Sequence, residues 1–544
     1  FPVDGEPVQA VQSGAVAAFE QLDLRQLSKA ERQLRLDAAY RRPIDLAVGP
    51  VARFTLASFA DDDHVLLPVV HHIAIDGQSI LIVLRELGAL YRQYAGGEPA
   101  RLPLLAYGYD DFVQQQKQNL DADGERLWRY WQDRLSGELP VLDIPTDLPR
   151  PAARGDRGQT LAVTVDPILT ERLKTLAAGQ GVTLFTLMLA AYQVLLHRHS
   201  GQDDILVGCP DGSRPGAEYN PLVGYFVNPV VLRGDLSGNP PFADFLKQLA
   251  RDALEAFAHR ELPFAQLVER LGQARDPSRT PVFQAAFNFL QLPKQRELED
   301  LFAPPLPGQA ATPGDWGGLK VLPFEVAQQE GQFDLVLDLF EARGALFGTF
   351  KFNTDLYLPD TIERWWGHYL NLLQAIAENP QQRIGHLPLL GHDERKLLLE
   401  TWNATDTDYP RDASIHQLFR RQAARRPDAV ALNFGQEAMT YAELDTLSDR
   451  LAQRLLDAGL AAETPVAVFL ERGFELVVAL LAVLKAGGAF VPLPTNYPAP
   501  RLRYLLQDSG SAWLLSRDEL LERLPQHDAK VMAVDCAELR AAPT

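Results

Sequence analysis

Cysteine is nearly absent from this chain: only two of its 544 residues, Cys209 and Cys536, are cysteines. They lie far apart in sequence, and neither a CxxC pair nor a zinc-type spacing of cysteine and histidine occurs. We therefore expect neither a disulfide framework nor a structural zinc site. Two isolated thiols suit a reducing compartment, and we expect a cytoplasmic location.

Positive charge and long apolar runs are also scarce. Lysine and arginine number 52 against 71 aspartates and glutamates, which gives a formal net charge of -19. Such a surface repels nucleic acid and anionic lipid. No apolar run approaches the ~20 residues that a membrane-spanning helix needs, and the first residues lack the profile of a signal peptide. We expect neither nucleic acid nor a membrane as a partner.

Several nucleotide-binding and hydrolase motifs are missing as well. The chain contains no GxSxG, GxxxxGK[ST] or GxGxxG segment, and no carrier-protein attachment site is visible. These absences argue against a serine-ester hydrolase, a P-loop nucleotidase and a dinucleotide enzyme. Hydrophobic residues make up 46% and charged residues 23%, as in ordinary globular proteins.

Alternating strand and helix patterns predict an α/β protein with two lobes and a further domain. The predicted segments are an N-terminal lobe (1–138), a Pro-rich connector (139–158), a second lobe (159–395), a polar interdomain linker (396–412) and a further α/β domain (413–544). We expect the connector to be extended rather than packed.

Two local patterns flank residues 71–77. The run HVLLPVV at 64–70 is almost wholly apolar, which predicts a strand buried on both faces. After Gly77 the pattern becomes helical, with Gly88 weakening the helix. The predicted buried face of this helix comprises Ile80, Leu81, Leu84, Leu87 and Tyr91.

Residues 71–77, HHIAIDG, place two histidines and an aspartate where the strand meets the helix. Imidazole titrates near neutrality, and a positioned one contributes about 10²–10⁴-fold as a general base. Neighbouring residues on a strand point to opposite faces, so only one of His71 and His72 would face a given cavity. The residues alone leave two interpretations open: a catalytic histidine, or interior histidines beside a helix-capping Asp76. A metal site is disfavoured, because no third ligand lies nearby.

The full pattern HHxxxDG resembles the signature of the condensation-domain superfamily, which includes acyltransferases similar to chloramphenicol acetyltransferase. Six further segments resemble the family in order: Tyr109–Phe112 (YxDF), 142–151 (the inter-lobe linker), Gly224–Asn228 with Leu232-Arg233 (GxFVN…LR), His259 with Leu262–Phe264 (HxxxPF), Arg275-Asp276 through Ser278, Pro281 and Phe283 to Gln284 (RDxSxxPxFQ), and Phe333–Leu335 with Thr354–Leu356 (FDL and TDL). We expect most of these matched residues to be structural, with His72 the exception.

The last part of the chain resembles the beginning of an adenylation domain. Met439–Leu444 is similar to the TYxEL motif, and Leu484–Leu493 followed by Tyr497-Pro498 is similar to LKAGxAYVPL…YP. Pro494-Thr495 stands where that family usually has Asp-Pro. The resemblance implies that this part is incomplete, because the phosphate-binding loop should follow later. ATP would be used only by a complete adenylation domain.

The family also has a segment, RHExLRTxF, of which Phe1 looks like the last residue. An arginine in that segment pairs with the aspartate of HHxxxDG in the family. We therefore expect Asp76 to lack its partner here. An unpaired buried carboxylate is costly, and we expect an unstable or insoluble chain.

Together the resemblances identify a fragment of a nonribosomal peptide synthetase. They imply two chloramphenicol acetyltransferase-like lobes forming a V with a tunnel, and an incomplete adenylation subdomain. The implied activity is amide bond formation, in which a carrier-bound acyl or peptidyl thioester is transferred to the amine of a carrier-bound aminoacyl thioester. The substrates would ride on the phosphopantetheine of upstream and downstream carrier domains, with no cofactor or metal bound directly.

For the site, the resemblance implies four residues. His72 acts as a general base or positions the amine, His71 packs into the fold, Asp76 holds the loop, and Gly77 leaves the tunnel open. The stretch YFVNPVVLR suggests a donor other than a plain L-peptide. Competition assays with a strict preference for L-peptidyl donors would contradict this.

Related functions remain open beside this one. Heterocyclisation domains carry an Asp-rich variant of the motif, and epimerisation domains usually have Trp after the following Ser, where this chain has Ile80 after Ser79. A non-catalytic carrier-docking module and a stand-alone acyltransferase also remain open, although the attached adenylation start disfavours the latter.

Overall fold

The computed structural model describes residues 17–272, 276–290, 302, 304–305, 312–324, 326 and 331–541, together with the backbone of 2–3 and 6–7. It divides into two compact units, Phe1–Asn403 and Ala404–Thr544. The division between Asn403 and Ala404 falls inside the segment 396–412 that the sequence predicts as the interdomain linker.

The first unit mixes strands and helices throughout. Its strands are β1 (Pro2–Val3), β2 (Glu6–Pro7), β3 (Ala18–Asp23), β4 (Ala52–Ser58), β5 (His64–Val70), β6 (Gly158–Val165), β7 (Asp204–Asp211), β8 (Asn228–Asp235), β9 (Ala285–Leu290), β10 (Gly314–Trp316), β11 (Leu319–Val321), β12 (Leu335–Ala342) and β13 (Ala345–Asn353). Its helices are α1 (Lys29–Arg41), α2 (Gly77–Tyr94), α3 (Tyr109–Arg134), α4 (Pro167–Gln180), α5 (Leu184–Ser200), α6 (Phe242–Ala258), α7 (Phe264–Leu271), α8 (Pro359–Glu378) and α9 (His392–Lys396).

The N-terminal lobe is built on a three-stranded sheet in the order β3-β4-β5, with β3 parallel and β5 antiparallel to β4. The expectation that β5 is buried on both faces is wrong. Val65 and Leu67 are buried, whereas His64 and Pro68 are exposed. Among the described residues the strand lies at the edge of its sheet, and Val65 and Leu67 on one face pack into a small core with Leu36, so burial alternates along it.

Helix α2 follows β5, as the sequence predicts, but its buried face differs from the predicted one. Ile80 and Tyr91 are exposed, and two residues without large apolar side chains, Ser79 and Gly88, are buried. Other parts of the chain pack against these two positions, as described below. Apolar periodicity cannot reveal burial of this kind, because it registers only large apolar side chains.

The second lobe contains a six-stranded sheet in the order β6-β13-β12-β9-β7-β8. Strand β9 runs parallel to β12 and β7, and the other pairs are antiparallel. Helix α5 packs against this sheet with eleven residues, Thr186–Leu196, buried in succession. Within the described residues no single helix is long and apolar enough to cross a membrane, and the pair α4 and α5 passes that test only together, with a bend of 104° between them.

The connector 139–158 has no regular structure before β6, but the expectation that it is unpacked is wrong. Leu142 and Ile144 are buried in the main core. The amide N–H of Leu142 donates to Gln284 Oε1 over 2.8 Å, and Arg150 pairs with Asp334 at 2.6 Å. A buried irregular backbone needs such partners, because its polar groups have no strand or helix ladder to bond within.

The second unit is a parallel α/β arrangement whose four-stranded sheet has the order β17-β16-β18-β19, beside a separate β14–β15 hairpin. Its strands are β14 (Val430–Phe434), β15 (Glu437–Thr440), β16 (Pro465–Phe469), β17 (Ala489–Pro492), β18 (Trp513–Ser516) and β19 (Lys530–Ala533). Its helices are α10 (Ile415–Arg425), α11 (Tyr441–Asp457), α12 (Phe474–Lys485), α13 (Ala499–Ser509), α14 (Asp518–Leu521) and α15 (Cys536–Ala541).

The two matched segments of the second unit are structural. Thr440 lies just before α11, and its side chain and that of Glu443 cap the helix reciprocally. Lys485, at the end of α12, is almost fully buried, and its ammonium lies 2.6 Å from Asp445 and 2.9 Å from Asp449 on α11. These contacts hold the two helices together.

Candidate active site

The two histidines lie just beyond β5, in a tight turn rather than on the strand. His71 is half-buried, and its Nδ1 accepts a hydrogen bond from the amide of Ile73 at 3.1 Å. His72 begins the short 3-10 turn His72–Ala74 and is exposed. The ring of His71 is therefore engaged by the backbone of its own turn, and the ring of His72 is the accessible one.

Asp76 is 1% exposed and caps the N-terminus of α2. Its Oδ1 accepts from the amide of Ser79 at 2.8 Å, and its Oδ2 accepts from the amide of Phe226 at 3.2 Å. Arg214 donates to both carboxylate oxygens, over 2.9 and 3.1 Å. The expectation that Asp76 lacks a cationic partner is therefore wrong, because Arg214 of the second lobe supplies a bidentate one. The expected instability of the chain rested on a buried and unpaired Asp76, so that argument for it no longer holds.

Arg214 is itself enclosed, with a side chain that is 0% exposed. It also donates to Ser79 Oγ at 2.9 Å and to the carbonyl of Gly212 at 2.8 Å, and its guanidinium lies 4.2 Å from the centre of the Phe226 ring. A buried ion pair offsets its desolvation only when further hydrogen bonds satisfy its polar groups. These contacts satisfy both carboxylate oxygens of Asp76 and both terminal nitrogens of Arg214, whereas Arg214 Nε has no hydrogen-bond partner among the described residues. We call Asp76, Ser79, Arg214, Gly224 and Phe226 the Asp76 network.

The network joins the two lobes through the segment Gly224–Asn228. Ser79 Oγ donates to the carbonyl of Gly224 at 2.9 Å and accepts from its amide at 3.1 Å. The hydroxyl of Tyr109, the first residue of α3, donates to the carbonyl of Tyr225 at 2.5 Å. The matched HHxxxDG, YxDF and GxFVN segments thus meet in one place.

Tyr225 brings this segment to His72. The two rings meet edge to face, with centroids 5.4 Å apart and planes at 81°. Burial, and secondarily the charge of Asp76, raises the pKa of Tyr225, so its phenol stays protonated at neutral pH. The site therefore presents the solvent-accessible imidazole of His72 beside the neutral phenol of Tyr225, and the buried Asp76 network lies beneath them.

Gly77 lies where the two lobes approach each other. A Cβ at this position would lie 3.5 Å from Leu290 Cδ1, at the end of β9. This is an ordinary contact, so a methyl group would fit and a larger side chain would extend toward β9. Residues 291–301 lie outside the described residues, and the open tunnel stays a prediction.

Two other matched residues are structural. The side-chain amide of Asn228 donates to the carbonyls of Arg260 and Leu262, and its oxygen accepts from the amide of Phe264 at 2.8 Å, at the start of α7. His259 stacks on Tyr130 of α3 with ring centroids 4.0 Å apart. Arg275, another matched residue, lies outside the described residues.

Sequence reasoning missed Arg214 and Tyr225. Arg214 belongs to no segment that the sequence singled out, and no local pattern shows that it pairs with a carboxylate 138 residues away. Tyr225 stands in the variable position of GxFVN, so the motif itself gives it no role. In the part of the chain that the structure describes, no group of three or more His, Cys, Asp or Glu could hold a metal ion.

Replacing Gly224 by alanine is expected to destabilise the first unit by about 1–3 kcal/mol. An added Cβ would lie 2.4 Å from Tyr109 Cδ2, so either the ring or the Gly224 segment must move. Gly77→Ala is the matched control, since its Cβ fits, and it should change stability far less. Urea unfolding of the two variants provides the measurement, and equal midpoints for both would contradict this account.

A mixed α/β unit of two lobes, joined through a buried Asp–Arg pair that supports an exposed histidine of an HHxxxDG segment, defines a condensation-type acyltransferase. The comparisons agree. The condensation domain family matches residues 2–399, and the AMP-binding enzyme family matches residues 419–543. This chain belongs to the condensation-domain family of nonribosomal peptide synthetases, and the start of an adenylation domain follows in the same chain.

Among its relatives, a component of the linear gramicidin synthase of Brevibacillus parabrevis is 38% identical over 98% of this chain and 10% of its own length. A component of the plipastatin synthase of Bacillus subtilis (strain 168) is 35% identical over 98% of this chain and 14% of its own. A crystal structure of a four-domain nonribosomal peptide synthetase bound to AMP and glycine is similar with a TM-score of 0.84 and 25% identity, covering 96% of this chain and 40% of the other. The chain spans less than half the length of each of these synthetases.

Proposed function

We propose that this chain forms an amide bond between two carrier-bound substrates. The observation that carries the proposal is the placement of His72: its exposed ring stands beside Tyr225, on the buried Asp76 network, in a member of the condensation-domain family. An acyl or peptidyl thioester is the donor, and the free amine of an aminoacyl thioester is the acceptor. Peptide bond formation is the role of such domains in nonribosomal peptide synthesis.

The reaction needs little beyond orientation and one proton acceptor. The amine nitrogen attacks the thioester carbonyl, the C–N bond forms, the C–S bond breaks, and the donor thiol leaves as the amine loses a proton. His72 accepts that proton or holds the amine in place. Orientation alone can supply about 7–11 kcal/mol of such a barrier, so the two roles differ in how much rate the imidazole adds.

The remaining site residues support His72. His71 holds the turn through the amide of Ile73. Asp76 fixes the start of α2 to the second lobe through Arg214. Gly77 keeps side-chain atoms away from Leu290 and leaves room for substrate between the lobes.

We further propose that the partners are an upstream and a downstream carrier domain, each presenting its substrate on phosphopantetheine. No cofactor is needed at the condensation site, and ATP would serve only a complete adenylation domain. A cytoplasmic location remains part of this proposal.

The test is a transfer assay with two separately loaded carrier domains, followed by intact mass. The acceptor carrier should gain the mass of the donor acyl group, and an acceptor whose amine is acetylated should gain nothing. If no donor gives a mass gain, amide bond formation is contradicted, and a carrier-docking module takes its place as the function.

A further inference from the structure

Helix α2 is held by the second lobe at a point other than the Asp76 network. The chain leaves the six-stranded sheet at Leu290 and returns to it at Leu335. Between them, the hairpin of β10 and β11 packs against α2. We call residues 312–324 and 326 the crossing segment. Between residues 303 and 331 the structure describes only this segment and residues 304–305.

Trp316 makes the contact. Its indole N–H donates to the carbonyl of Leu84 at 2.8 Å, in the middle of α2. In a regular helix that carbonyl accepts from the amide four residues later, which belongs to Gly88. The indole therefore adds a second donor to a carbonyl of the helix interior, which only a side chain lying directly on the helix surface can do.

Gly88 makes room for this indole. A Cβ at Gly88 would lie 2.8 Å from Trp316 Nε1, closer than real side chains approach. A Cβ at Gly317 would lie 2.5 Å from the carbonyl oxygen of Gly88, and Gly317 has a φ of 62°. Two glycines thus allow the hairpin and the helix to touch backbone to backbone. The sequence suggests that Gly88 weakens α2, and in the structure Gly88 is the residue against which the indole packs.

The crossing segment touches the N-terminal lobe at two further points. The ring of Phe324 meets Phe59 edge to face, with centroids 6.1 Å apart. Val326 packs against the small core that contains Leu36 and Leu67. The segment is therefore fixed along the N-terminal lobe rather than lying across it at one place.

The geometry points to Trp316 as a positioning residue for His72, an inference that rests on the proposed function. His72 precedes α2 by a short turn, and Gly77 and Gly88 are about 16 Å apart along the helix. The Asp76 network fixes the beginning of α2 relative to Tyr225, but it does not reach the middle of the helix, where Leu84 and Gly88 lie. Trp316 supplies the second attachment, and two attachments fix the direction of the helix as well as its start. The angle at which the His72 turn meets Tyr225 follows from both.

The test uses single-turnover transfer with both carriers saturating, which separates the amplitude from the rate constant. Trp316→Ala should lower the rate constant about tenfold or more while the amplitude stays near that of the unsubstituted chain. A displacement of about 1 Å at a reacting group can cost about 10²-fold. Gly88→Ala, which displaces the indole from the other side, should give the same pattern. Trp316→Phe keeps an aromatic ring at this position but loses the indole N–H, and it should lower the rate constant less than Trp316→Ala does.

Trp402→Ala is the matched control, because Trp402 is 66% exposed and lies at the end of the first unit. It should match the unsubstituted chain in both rate and amplitude. If Trp316→Ala lowers only the amplitude, the residue serves folding alone and the positioning role is overturned. An unchanged rate constant in both Trp316→Ala and Gly88→Ala overturns it too, and the proposed function then stands. If the unsubstituted chain transfers nothing, the proposed function fails and takes the positioning role with it.

Discussion

Arg214→Met is expected to destabilise the first unit by about 3–5 kcal/mol. The substitution removes the cation that donates to both oxygens of Asp76, whose side chain is 1% exposed. The carboxylate would remain buried with only two backbone amides as donors. A buried charge without its counter-ion costs far more than a lost surface ion pair.

Urea unfolding followed by tryptophan fluorescence measures this effect, because six of the seven tryptophans lie in the first unit. Arg126→Met is the matched control. Arg126 pairs with Asp123 at 3.2 Å, but both side chains are more than half exposed, so the expected loss is at most about 1 kcal/mol. Similar midpoints for the two variants would show that the Asp76–Arg214 pair does not hold the lobes together.

His72→Ala is expected to slow transfer between loaded carriers by about 10²–10⁴-fold if the imidazole accepts the amine proton. The side chain is exposed and makes its one described ring contact with Tyr225, so unfolding midpoints should stay near those of the unsubstituted chain. A smaller loss with unchanged stability would assign His72 to positioning the amine, because orientation would then supply the remaining rate.

His64→Ala provides the control for this substitution. His64 is an exposed histidine at the first residue of β5, the strand that precedes the His72 turn, and its Nδ1 lies 3.0 Å from Ser58 Oγ. Its replacement should leave the transfer rate unchanged. A rate for His72→Ala equal to that of His64→Ala would remove His72 from the mechanism.

The sequence was informative where a residue acts through its own local pattern. The helical pattern after Gly77 predicted α2, and HHxxxDG located the turn just before that helix. The resemblance to condensation domains identified the family, which the comparisons confirm. These features depend on residues close together in the chain.

The long-range pairings could not be predicted in the same way. The contact of Asp76 with Arg214 joins residues 138 positions apart, and that of Trp316 with Leu84 joins residues 232 positions apart. These contacts bury Ser79 and Gly88. Neither residue has a large apolar side chain, so the sequence pattern could not predict their burial. The resemblance to the family placed the arginine partner of Asp76 in the RHExLRTxF segment and so suggested that Asp76 is unpaired. Only the fold shows that Arg214 pairs with Asp76.

The central claim is that His72 meets the attacking amine, and a structure of this chain with an acceptor analogue tests it most directly. The analogue is an aminoacyl pantetheine in which an amide replaces the thioester, so that it cannot react. The account predicts that its free amine lies within hydrogen-bond distance of a ring nitrogen of His72, about 2.6–3.2 Å, with Tyr225 alongside. An analogue bound elsewhere, or bound with its amine beyond the reach of His72, would contradict it.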